Sequence, residues 1–451
     1  MIKNRFNLIL KRINDYLFRP IDNISLILFR ICFGFLVVAE AWGALITGWV
    51  KSTFITPEFT FNFIGFDFLQ PLPGNGMYLY FFLMGLCGWG ILLGYRFRLS
   101  SLLFAVMWSA VYLMQKTSYN NHYYLLMILA FAMSLSNAHS DLSLDVKQNR
   151  TARSNQMPAY IKLFVIIQLL IVYEFASIAK LYSDWLDLSF IDLLLGSKKN
   201  MPIIGPPLQY PLAKYSVAYF GIVYDALIIP ALLFKPTQKV AIALSFFFHL
   251  FNSIVFQIGI FPYMSLAFML FFIDPAWLRS KSQGLYRHFN QQYQKLQPKN
   301  TSVVSLLLLV HFVVQLALPL SHHFIQGDVL WTEEGHRLSW RMMLRTRQGS
   351  IQFFVTDVKT GRRETVDLNQ YLTAKQISRL STLPDYIWQF SQRLKKEYNE
   401  KGKQVAIHVK SRVSVNRGPY AEFIDPNVDL ADTEWYYFRH NPWILPKPLS
   451  N

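Results

Sequence analysis

The stretch QKTSYNNHYYLL, residues 115–126, places amides, a histidine and three tyrosines between two strongly apolar runs. A histidine can take up or release a proton near neutral pH, and an adjacent amide can orient a substrate. Asn121 and His122 therefore form a candidate acid/base pair at the predicted start of an apolar helix. Taken alone, a histidine at a helix end is more often an interfacial hydrogen-bonding group, and tyrosines commonly anchor helices there. The residues leave both interpretations open.

Lys180 ends a later apolar segment, within AKLYSDW. Burial disfavours an ammonium ion relative to the neutral amine, and a neutral amine can act as a general base. Asp184 lies four residues further along, where a continuing helix would let it form an ordinary ion pair that keeps the lysine charged. The sequence therefore predicts either a general base or an ion pair at Lys180.

Further polar residues fall inside apolar segments, where a charged side chain costs about 2.5 to 3.5 kcal/mol at the bilayer centre. They are Arg30, Glu40, Lys162, Glu174, Asp225, His249 and Asn252. Lys162 can extend to the interface and Arg30 can pair with an acid, so structural roles are sufficient for these two. His122, Lys180 and His249 instead approach the same predicted outer face. Their convergence predicts a site at that face.

Common catalytic motifs are absent from the sequence. It contains no P-loop, GxSxG, HExxH or CxxC motif, and its histidines lack the spacing of a zinc site. The two cysteines, Cys32 and Cys87, both lie in apolar segments and imply no disulfide framework. No bound metal is expected.

The chain of 451 residues is 53% hydrophobic and 16% aromatic, a composition typical of a membrane protein. About nine segments approach the length of a membrane-spanning helix. They are Ile24–Leu45, Met77–Tyr95, Ser101–Met114, Tyr123–Ser136, Tyr160–Ala179, Tyr215–Phe234, Val240–Gln257, Pro262–Ile273 and Val303–Pro319. The third, fourth and eighth are short, and partial re-entry or extension into flanking residues would account for them.

The net charge of +17 is explained by topology. Lys and Arg residues are concentrated in alternate connections, beginning with the basic N-terminus, which has no signal-peptide cleavage site. The positive-inside rule then places the N-terminus in the cytoplasm and, after an odd number of spans, the C-terminal region outside it. A nucleic-acid partner is not expected.

The C-terminal region has the pattern of a folded soluble domain. IQFFVTDVKTGRRETVDL alternates around a Thr-Gly turn, which predicts a β-hairpin. YIWQFSQRLKKEYNEKG predicts a helix that stops at a glycine, and QVAIHVKSRVSV predicts another strand. The predicted fold is mainly α: a cytoplasmic segment (1–23), a transmembrane helical catalytic domain (24–320) and a small extracytoplasmic α+β domain (321–451).

Seven stretches, in order, resemble the vitamin K-dependent γ-glutamyl carboxylase family. They are LFRICFGFLVV, KTSYNNHYYL, IVYEFASIAKLYSDW, FFHLFNSIVFQIGIFPY, LALPLSHHFIQG, LSWRMMLRTR and FIDPNVDL. The resemblance implies a membrane enzyme that couples oxidation of vitamin K hydroquinone by O2 to addition of CO2 to glutamate side chains of a protein or peptide. In that chemistry a lysine deprotonates the hydroquinone, and oxygen addition creates a base strong enough to remove a glutamate γ-proton.

The resemblance also assigns roles to residues of this chain. It places the lysine base at Lys180, and the glutamate carbanion and CO2 step at His122 with Asn121. It further implies a set of residues in or near the quinone and glutamate sites. These are Tyr173, His249, Phe261, Met342, Met343 and Arg347. A chain of this kind is expected in a bacterial inner membrane, or in the endoplasmic reticulum membrane of a eukaryote, in contact with membrane lipid.

Two other functions are compatible with the residues. One is a quinol epoxidase or oxidase that does not carboxylate protein. The other is a non-catalytic membrane binding or transport protein whose intramembrane charges line a solute path, although the inverted repeats common in transporters are not evident here.

Overall fold

The computed structural model describes residues 2–289, 291–295 and 301–448. Within these residues the chain forms a helical bundle followed by a small α+β domain. The bundle helices are α1 (Ile2–Phe18), α2 (Ile24–Ile46), α3 (Gly76–Leu93), α4 (Phe97–Met114), α5 (Asn121–Leu135), α6 (Ala159–Ile178), α7 (Ser189–Gly196), α8 (Pro211–Leu233), α9 (Lys235–Phe256), α10 (Phe261–Phe271), α11 (Pro275–Ser282) and α12 (Thr301–Leu320). Single helical turns occur at Leu144–Lys147, Ser183–Leu186 and Val329–Thr332.

Each of the nine predicted spans coincides with one of these helices. By length and composition, seven helices of the described residues could cross a membrane, or eight if α10 and the bent segment after it are one span. The bend between these two segments is 108°. The fourth predicted span, α5, is a shorter apolar helix of 15 residues. The chain is thus a polytopic membrane protein, with α5 and α10 departing from a simple crossing.

Helices α2 and α3 pack at unusually close range. A Cβ atom at Gly34 would lie 2.4 Å from the Leu92 backbone, and one at Gly85 would lie 2.0 Å from the Trp42 indole. Small residues allow such approach between membrane helices, whose association depends on van der Waals contact. This pair forms the rigid side of the bundle behind α5.

Arginine side chains hold segments together at the end of the bundle where α2 begins. Arg30, fully buried in α2, donates from Nη2 to the carbonyl oxygen of Leu142 at 2.6 Å and also contacts the carbonyl oxygens of Ala138 and Asp141. The expected acid partner for Arg30 is therefore replaced by backbone carbonyl groups. Nearby, Arg279 pairs with Asp22 at 2.6 Å, beside a two-stranded antiparallel sheet of β1 (Pro20–Asp22) and β2 (Gln156–Pro158).

The C-terminal domain is built on a four-stranded antiparallel sheet in the order β4-β3-β5-β6. Its strands are β3 (Arg347–Asp357), β4 (Arg363–Thr365), β5 (Val405–Val415) and β6 (Ala421–Glu422), and its helices are α13 (Ala374–Leu380) and α14 (Pro384–Glu400). The predicted hairpin, helix and strand are confirmed. Alternate residues of β5, such as Ile407 and Val409, are buried with Phe390 of α14 in a second core.

An ion cluster joins this domain to the bundle. Asp385 of α14 pairs with Lys116, in the turn before α5, and with Arg337 at 2.6 Å. Although burial alone would raise the pKa of Asp385, the Arg337 and Lys116 charges lower it to about 2. Gln389, one turn along α14, also donates to Asn62 Oδ1 at 2.8 Å. The domain is therefore held in a fixed position over the outer ends of the helices.

Candidate active site

The local sequence around residue 120 fixes the start of α5. Asn120 accepts a hydrogen bond on Oδ1 from the Tyr123 amide at 2.8 Å, the pattern of a helix N-cap. Tyr123 in turn donates to Glu40 of α2 at 2.6 Å, which gives that intramembrane acid a partner. The cap places Asn121 and His122 in the first turn of the helix, as predicted.

Asn121 links the bundle to the segment before the C-terminal sheet. Its Nδ2 donates to the carbonyl oxygen of Arg341 at 3.0 Å, and its Oδ1 accepts from the Tyr119 hydroxyl at 2.8 Å. The same hydroxyl accepts from the Leu338 amide at 2.7 Å. Burial raises the pKa of Tyr119 to about 12, so the hydroxyl keeps its proton for Asn121. Asn121 is thereby held by contacts on both sides.

An apolar cavity of about 280 Å³ lies next to His122. Most of its walls are aliphatic or aromatic side chains. Its polar or predicted site residues are His122, Tyr173, Lys180, Ser216, Asp225, Asn252, Phe261, Met342 and Met343. The π-helical turns Ser216–Phe220 of α8 and Asn252–Phe256 of α9 contribute to the lining, and such turns often occur at functional sites. The cavity therefore has the lining of a site for an apolar ligand.

Lys180 points into this cavity and is paired with Asp225. Its Nζ donates to Asp225 Oδ2 at 2.5 Å and to the carbonyl oxygen of Ala176 at 3.1 Å. The ion pair suggested from sequence is therefore present, but its expected partner, Asp184, is wrong. Because α6 ends at Ile178, Asp184 is not one helical turn above the lysine, and it accepts a hydrogen bond from Asn416 instead.

His249 lies behind the cavity wall. Tyr173 and Tyr224 place their hydroxyl groups 3.0 Å and 3.3 Å from its Nε2. The histidine is fully buried, and its Nδ1 has no hydrogen-bond partner among the described residues. His249 is thus near the site but contacts the cavity through Tyr173, which lines it.

A second cavity, of about 480 Å³, lies on the other side of His122 and is polar. Its walls carry many cations. Its charged and titratable residues are Lys116, Tyr119, His122, Tyr123, Glu333, His336, Arg337, Arg341, Arg345, Arg379 and Tyr386. Burial, then the charges of Arg345 and its neighbours, lower the pKa of His336 well below its usual value. Since Arg345 donates toward His336 at 2.8 Å, the neutral imidazole is also the form that the hydrogen bond requires.

The cations of this second cavity are not equally available. Glu333 forms a two-point ion pair with Arg345, and Asp385 forms one with Arg337. Arg341 differs: its Nη1 faces His322 at 3.3 Å, and its buried Nε has no hydrogen-bond partner among the described residues. Burial lowers the pKa of Arg341, as does the nearby Arg345. Arg341 is therefore a cation with capacity to bind an anion.

Arg347 lies outside the residues that line either cavity. Its Nη1 donates to the carbonyl oxygens of Leu330 and Trp331 at 2.7 Å and 2.8 Å and approaches Glu333 at 3.3 Å. Arg347 thus contacts Glu333, which lines the polar cavity, without lining the cavity itself. Of the three arginines in RMMLRTR, the first two face the cavity, and that choice could not be made from spacing alone.

The two cavities meet at a shared wall. His122, Ile258, Met342 and Met343 line both of them. The His122 ring stacks on Phe261 at 4.2 Å between centroids, and its buried Nδ1 has no hydrogen-bond partner among the described residues. Met343 has a left-handed backbone, with φ of 52°, which is strained for a non-glycine residue. The apolar cavity, which contains the Lys180 amine, and the polar cavity, which contains the arginines, are thus separated by one layer of side chains.

Comparison with known protein families agrees with this division. The family model for the HTTM domain matches residues 18–277, and the model for the vitamin K-dependent gamma-carboxylase lumenal domain matches residues 300–450. The chain belongs to the vitamin K-dependent gamma-carboxylase family. It is a carboxylase-like integral membrane protein with a lumenal domain, and vitamin K is the quinone associated with the family. No solved structure matches the chain.

Several site residues were not assigned from the sequence. Asp225 was recognised only as a costly intramembrane charge, and Lys116, Tyr119, Arg337, Arg341 and Arg345 were not selected. The high density of arginine in LSWRMMLRTR was the sequence feature that could have indicated a cationic cavity. It could not distinguish arginines that face the cavity from those that support it.

Proposed function

We propose that this protein is a vitamin K hydroquinone-dependent carboxylase, which adds CO2 to glutamate side chains of a protein and couples this step to epoxidation of the quinol by O2. The observation that carries the proposal is the pair of cavities, one apolar and one cationic, that meet at His122. Each cavity suits one of the two substrates. Their common wall brings the two half-reactions within one side chain of each other.

The apolar cavity fits the quinol ring. Its aromatic walls, including Phe261 and Phe248, provide surfaces for a flat ring, and the Lys180 and Asp225 side chains offer a basic group for a ring hydroxyl. Lys180 is assigned the role of the base that takes the hydroxyl proton. The bound quinol, when it reacts with O2, supplies the strong base that removes the glutamate γ-proton.

The polar cavity fits the glutamate side chain. The guanidinium of Arg341, which forms no ion pair among the described residues, would attract a carboxylate and orient it by charge-assisted hydrogen bonds, and Arg379 adds positive charge to the same cavity. The peptide approaches from the lumenal side, where the C-terminal domain borders this cavity through Leu383 and Tyr386. Positive charge here also stabilises the second carboxylate that carboxylation creates.

His122, with Asn121, is assigned to the carboxylation half. The imidazole faces both cavities, and its Nδ1, which has no hydrogen-bond partner among the described residues, can form a hydrogen bond where the glutamate carbanion and CO2 react. Met342 and Met343 complete the wall and keep water from the strong base, which water would quench. Tyr173, Phe261 and His249 would shape and support the quinol side.

The proposal includes the topology and location of the chain. The N-terminal segment (1–23) is cytoplasmic, the catalytic bundle spans 24–320, and the domain from 321 to 451 is extracytoplasmic. The positive-inside distribution of Lys and Arg supports this orientation. A bacterial inner membrane is the proposed location.

The test is an assay on the purified protein with reduced vitamin K, O2, labelled bicarbonate and a Glu-containing peptide. We expect both quinone epoxide and γ-carboxyglutamate. Epoxide without incorporated label, across varied peptides, would reject carboxylation in favour of quinol oxidation alone. No quinol turnover combined with solute flux in liposomes would indicate a transport protein.

The Lys180 assignment is tested in the same assay. Lys180→Ala should lower epoxidation on the order of 100-fold, the lower range for loss of general acid–base catalysis. Lys214→Ala is the matched control, because Lys214 forms a partly exposed ion pair with Asp192 outside the cavity lining. Full epoxidation by Lys180→Ala at neutral pH would refute the role of Lys180.

A further inference from the structure

The ion pair at Lys180 presents a chemical difficulty for a general base. A lysine amine that donates to a carboxylate at 2.5 Å carries its proton already, and an ammonium ion cannot accept another. Both side chains are largely buried, with exposed fractions of 11% for Lys180 and 7% for Asp225. The arrangement can work as a base only if the carboxylate itself has a part in the proton transfer.

Asp225 borders the same apolar cavity as Lys180. Both residues line the apolar cavity, and Asp225 is the single carboxylate among the described residues that line it. Its Oδ2 bonds to Lys180 Nζ. Nζ also lies over the indole of Trp185, 5.5 Å from the ring centroid. A hydroxyl group that reached Lys180 would therefore meet a lysine–carboxylate pair in apolar surroundings.

The bundle fixes the geometry of this pair from both helices. Lys180 follows the end of α6, and Asp225 is on the buried face of α8. One turn away, Ser177 of α6 donates to the carbonyl oxygen of Ile222 of α8 at 3.0 Å. The bond between Lys180 and the Ala176 carbonyl oxygen further restricts the amine. The carboxylate is thus positioned against Nζ before any substrate binds.

We propose that Asp225 is the proton acceptor that makes Lys180 act as a base, an inference that rests on the proposed function. The quinol O–H bond breaks and its proton bonds to Lys180 Nζ, while one ammonium proton passes from Nζ to Asp225 Oδ2. The electron pair of the O–H bond stays on the quinol oxygen. Lys180 remains an ammonium ion beside the anion formed, and Asp225 becomes a neutral carboxylic acid. No oxidant takes part in this step.

Other titratable groups surround the carboxylate. Among the described residues, Tyr173 and Glu174 of α6 and Tyr224 of α8 interact with Asp225 electrostatically, in addition to Lys180. The two tyrosines share His249 as a hydrogen-bonding partner. Lys180 alone among these groups forms an ion pair with Asp225. It is therefore the group through which a proton reaches the carboxylate directly.

A counter-ion role for Asp225 leads to the opposite expectation. If the carboxylate only held Lys180 in its charged form, then Asp225→Asn would leave a buried ammonium without a partner. That change favours the neutral amine and would make Lys180 a better base. If Asp225 receives the proton, the same substitution removes the acceptor and stops deprotonation. One variant thus separates the two roles.

The experiment uses anaerobic binding of vitamin K hydroquinone to the full chain, so that only deprotonation can occur. Wild-type protein should convert bound quinol to its anion, observed by absorption, and should show a carboxylic acid C=O band in infrared difference spectra. Asp225→Asn should lack that band and form the anion on the order of 100-fold more slowly, as expected for loss of a proton-transfer group. Asp225→Glu, which keeps a carboxylate, should restore both signals.

Controls make each outcome decisive. Asp192→Asn removes the carboxylate of the outer Lys214 ion pair and should resemble wild type. Binding of the oxidised quinone, followed by thermal stabilisation, reports whether each variant is folded. Anion formation by Asp225→Asn at or above the wild-type rate would overturn the proposal, as would a folded, quinone-binding Asp225→Glu variant that lacked both signals.

The role of Asp225 and the carboxylation activity can fail independently, and the two failures give different results. Wild-type protein that forms the quinol anion but never γ-carboxyglutamate would refute carboxylation and leave the role of Asp225 intact. Wild-type carboxylation together with a fully active Asp225→Asn variant would refute the role of Asp225 alone.

Discussion

At the scale of single residues, His122 has the most informative position. It lines both cavities, stacks on Phe261 and keeps one buried ring nitrogen without a hydrogen-bond partner among the described residues. Buried polar atoms normally find partners, and exceptions are frequent at catalytic positions. Lys180 has two partners and Asn121 has two, so these residues are held in place while His122 is available.

Substitution of His122 should separate the two half-reactions. We expect His122→Ala to lower γ-carboxyglutamate formation on the order of 100-fold, because a polar group placed at the glutamate carbanion and CO2 step is lost. Epoxidation should fall much less, since Lys180 and Asp225 are unchanged. The ratio of label incorporation to epoxide measures the effect.

His323→Ala is a suitable control, because His323 is an exposed histidine of the turn after α12. An equal decrease of both products in His122→Ala would contradict a role confined to carboxylation.

At the scale of elements, the helix pairs differ in what they contribute. Helices α2 and α3 are packed backbone to backbone and form a rigid frame. Helices α8 and α9 carry π-helical turns that line the apolar cavity. The segment from Leu338 to Met343 is tied to α5 by Tyr119 and Asn121 and has three residues of positive φ. Close helix packing in one part of the bundle thus contrasts with irregular backbone at the cavities.

Two glycines of α2 offer a matched test of the rigid frame. Gly34→Ala places a methyl group 2.4 Å from the Leu92 backbone and should destabilise the bundle by about 1–3 kcal/mol, the usual cost of overpacking. Gly43→Ala meets nothing within 4 Å and should leave stability unchanged or raise it, because alanine favours helix. Thermal unfolding in detergent measures both variants. Equal stability of the two would contradict close packing at Gly34.

At the scale of the whole molecule, the buried cluster of Lys116, Arg337 and Asp385 joins the lumenal domain to the bundle. Lys116 and Arg337 also line the polar cavity, so docking of the domain and the lining of that cavity depend on the same charges. Removing one member of a buried ion pair leaves an uncompensated charge, which costs about 3–5 kcal/mol. The interface is therefore a structural requirement for the site.

This cluster predicts a specific acid dependence. The pKa of Asp385 is about 2 in the folded protein, whereas a free aspartate has a pKa of about 3.9. Its stabilising contribution is fully present above about pH 4 and is lost as pH falls toward 2, because the unfolded chain binds the proton first. Thermal unfolding of wild type as a function of pH should show this decrease, and Asp385→Asn should show less of it from a lower starting stability.

Asp432→Asn is the control for the acid dependence, since Asp432 forms an exposed ion pair with Lys395 and exposed pairs contribute little. A pH profile of Asp385→Asn that matched wild type in slope would contradict the role of the cluster.

Most helices and strands, and the principal candidate residues, could be predicted from the sequence. Apolar segment length located nine helices, because crossing a bilayer imposes a length that is visible without any contact information. Among the described residues, seven of them, or eight with the bent segment after α10, are long and apolar enough to cross a membrane. Strand alternation predicted the hairpin and β5 for a similar local reason. Motif resemblance selected His122 and Lys180, whose positions beside the cavities agree with the proposed roles, though the roles themselves remain predictions.

Which side chains lie together could not be predicted from the sequence and follows from the packing of the helices. Lys180 and Asp225 are far apart in sequence, and the nearer Asp184 was a plausible partner until the end of α6 at Ile178 excluded helical pairing. Arg341 and Arg347 have the same side chain and neighbouring positions, but one faces a cavity and the other bonds backbone carbonyl groups. Sequence spacing fixes periodicity along one element, whereas partners across elements depend on how helices cross and where each one ends.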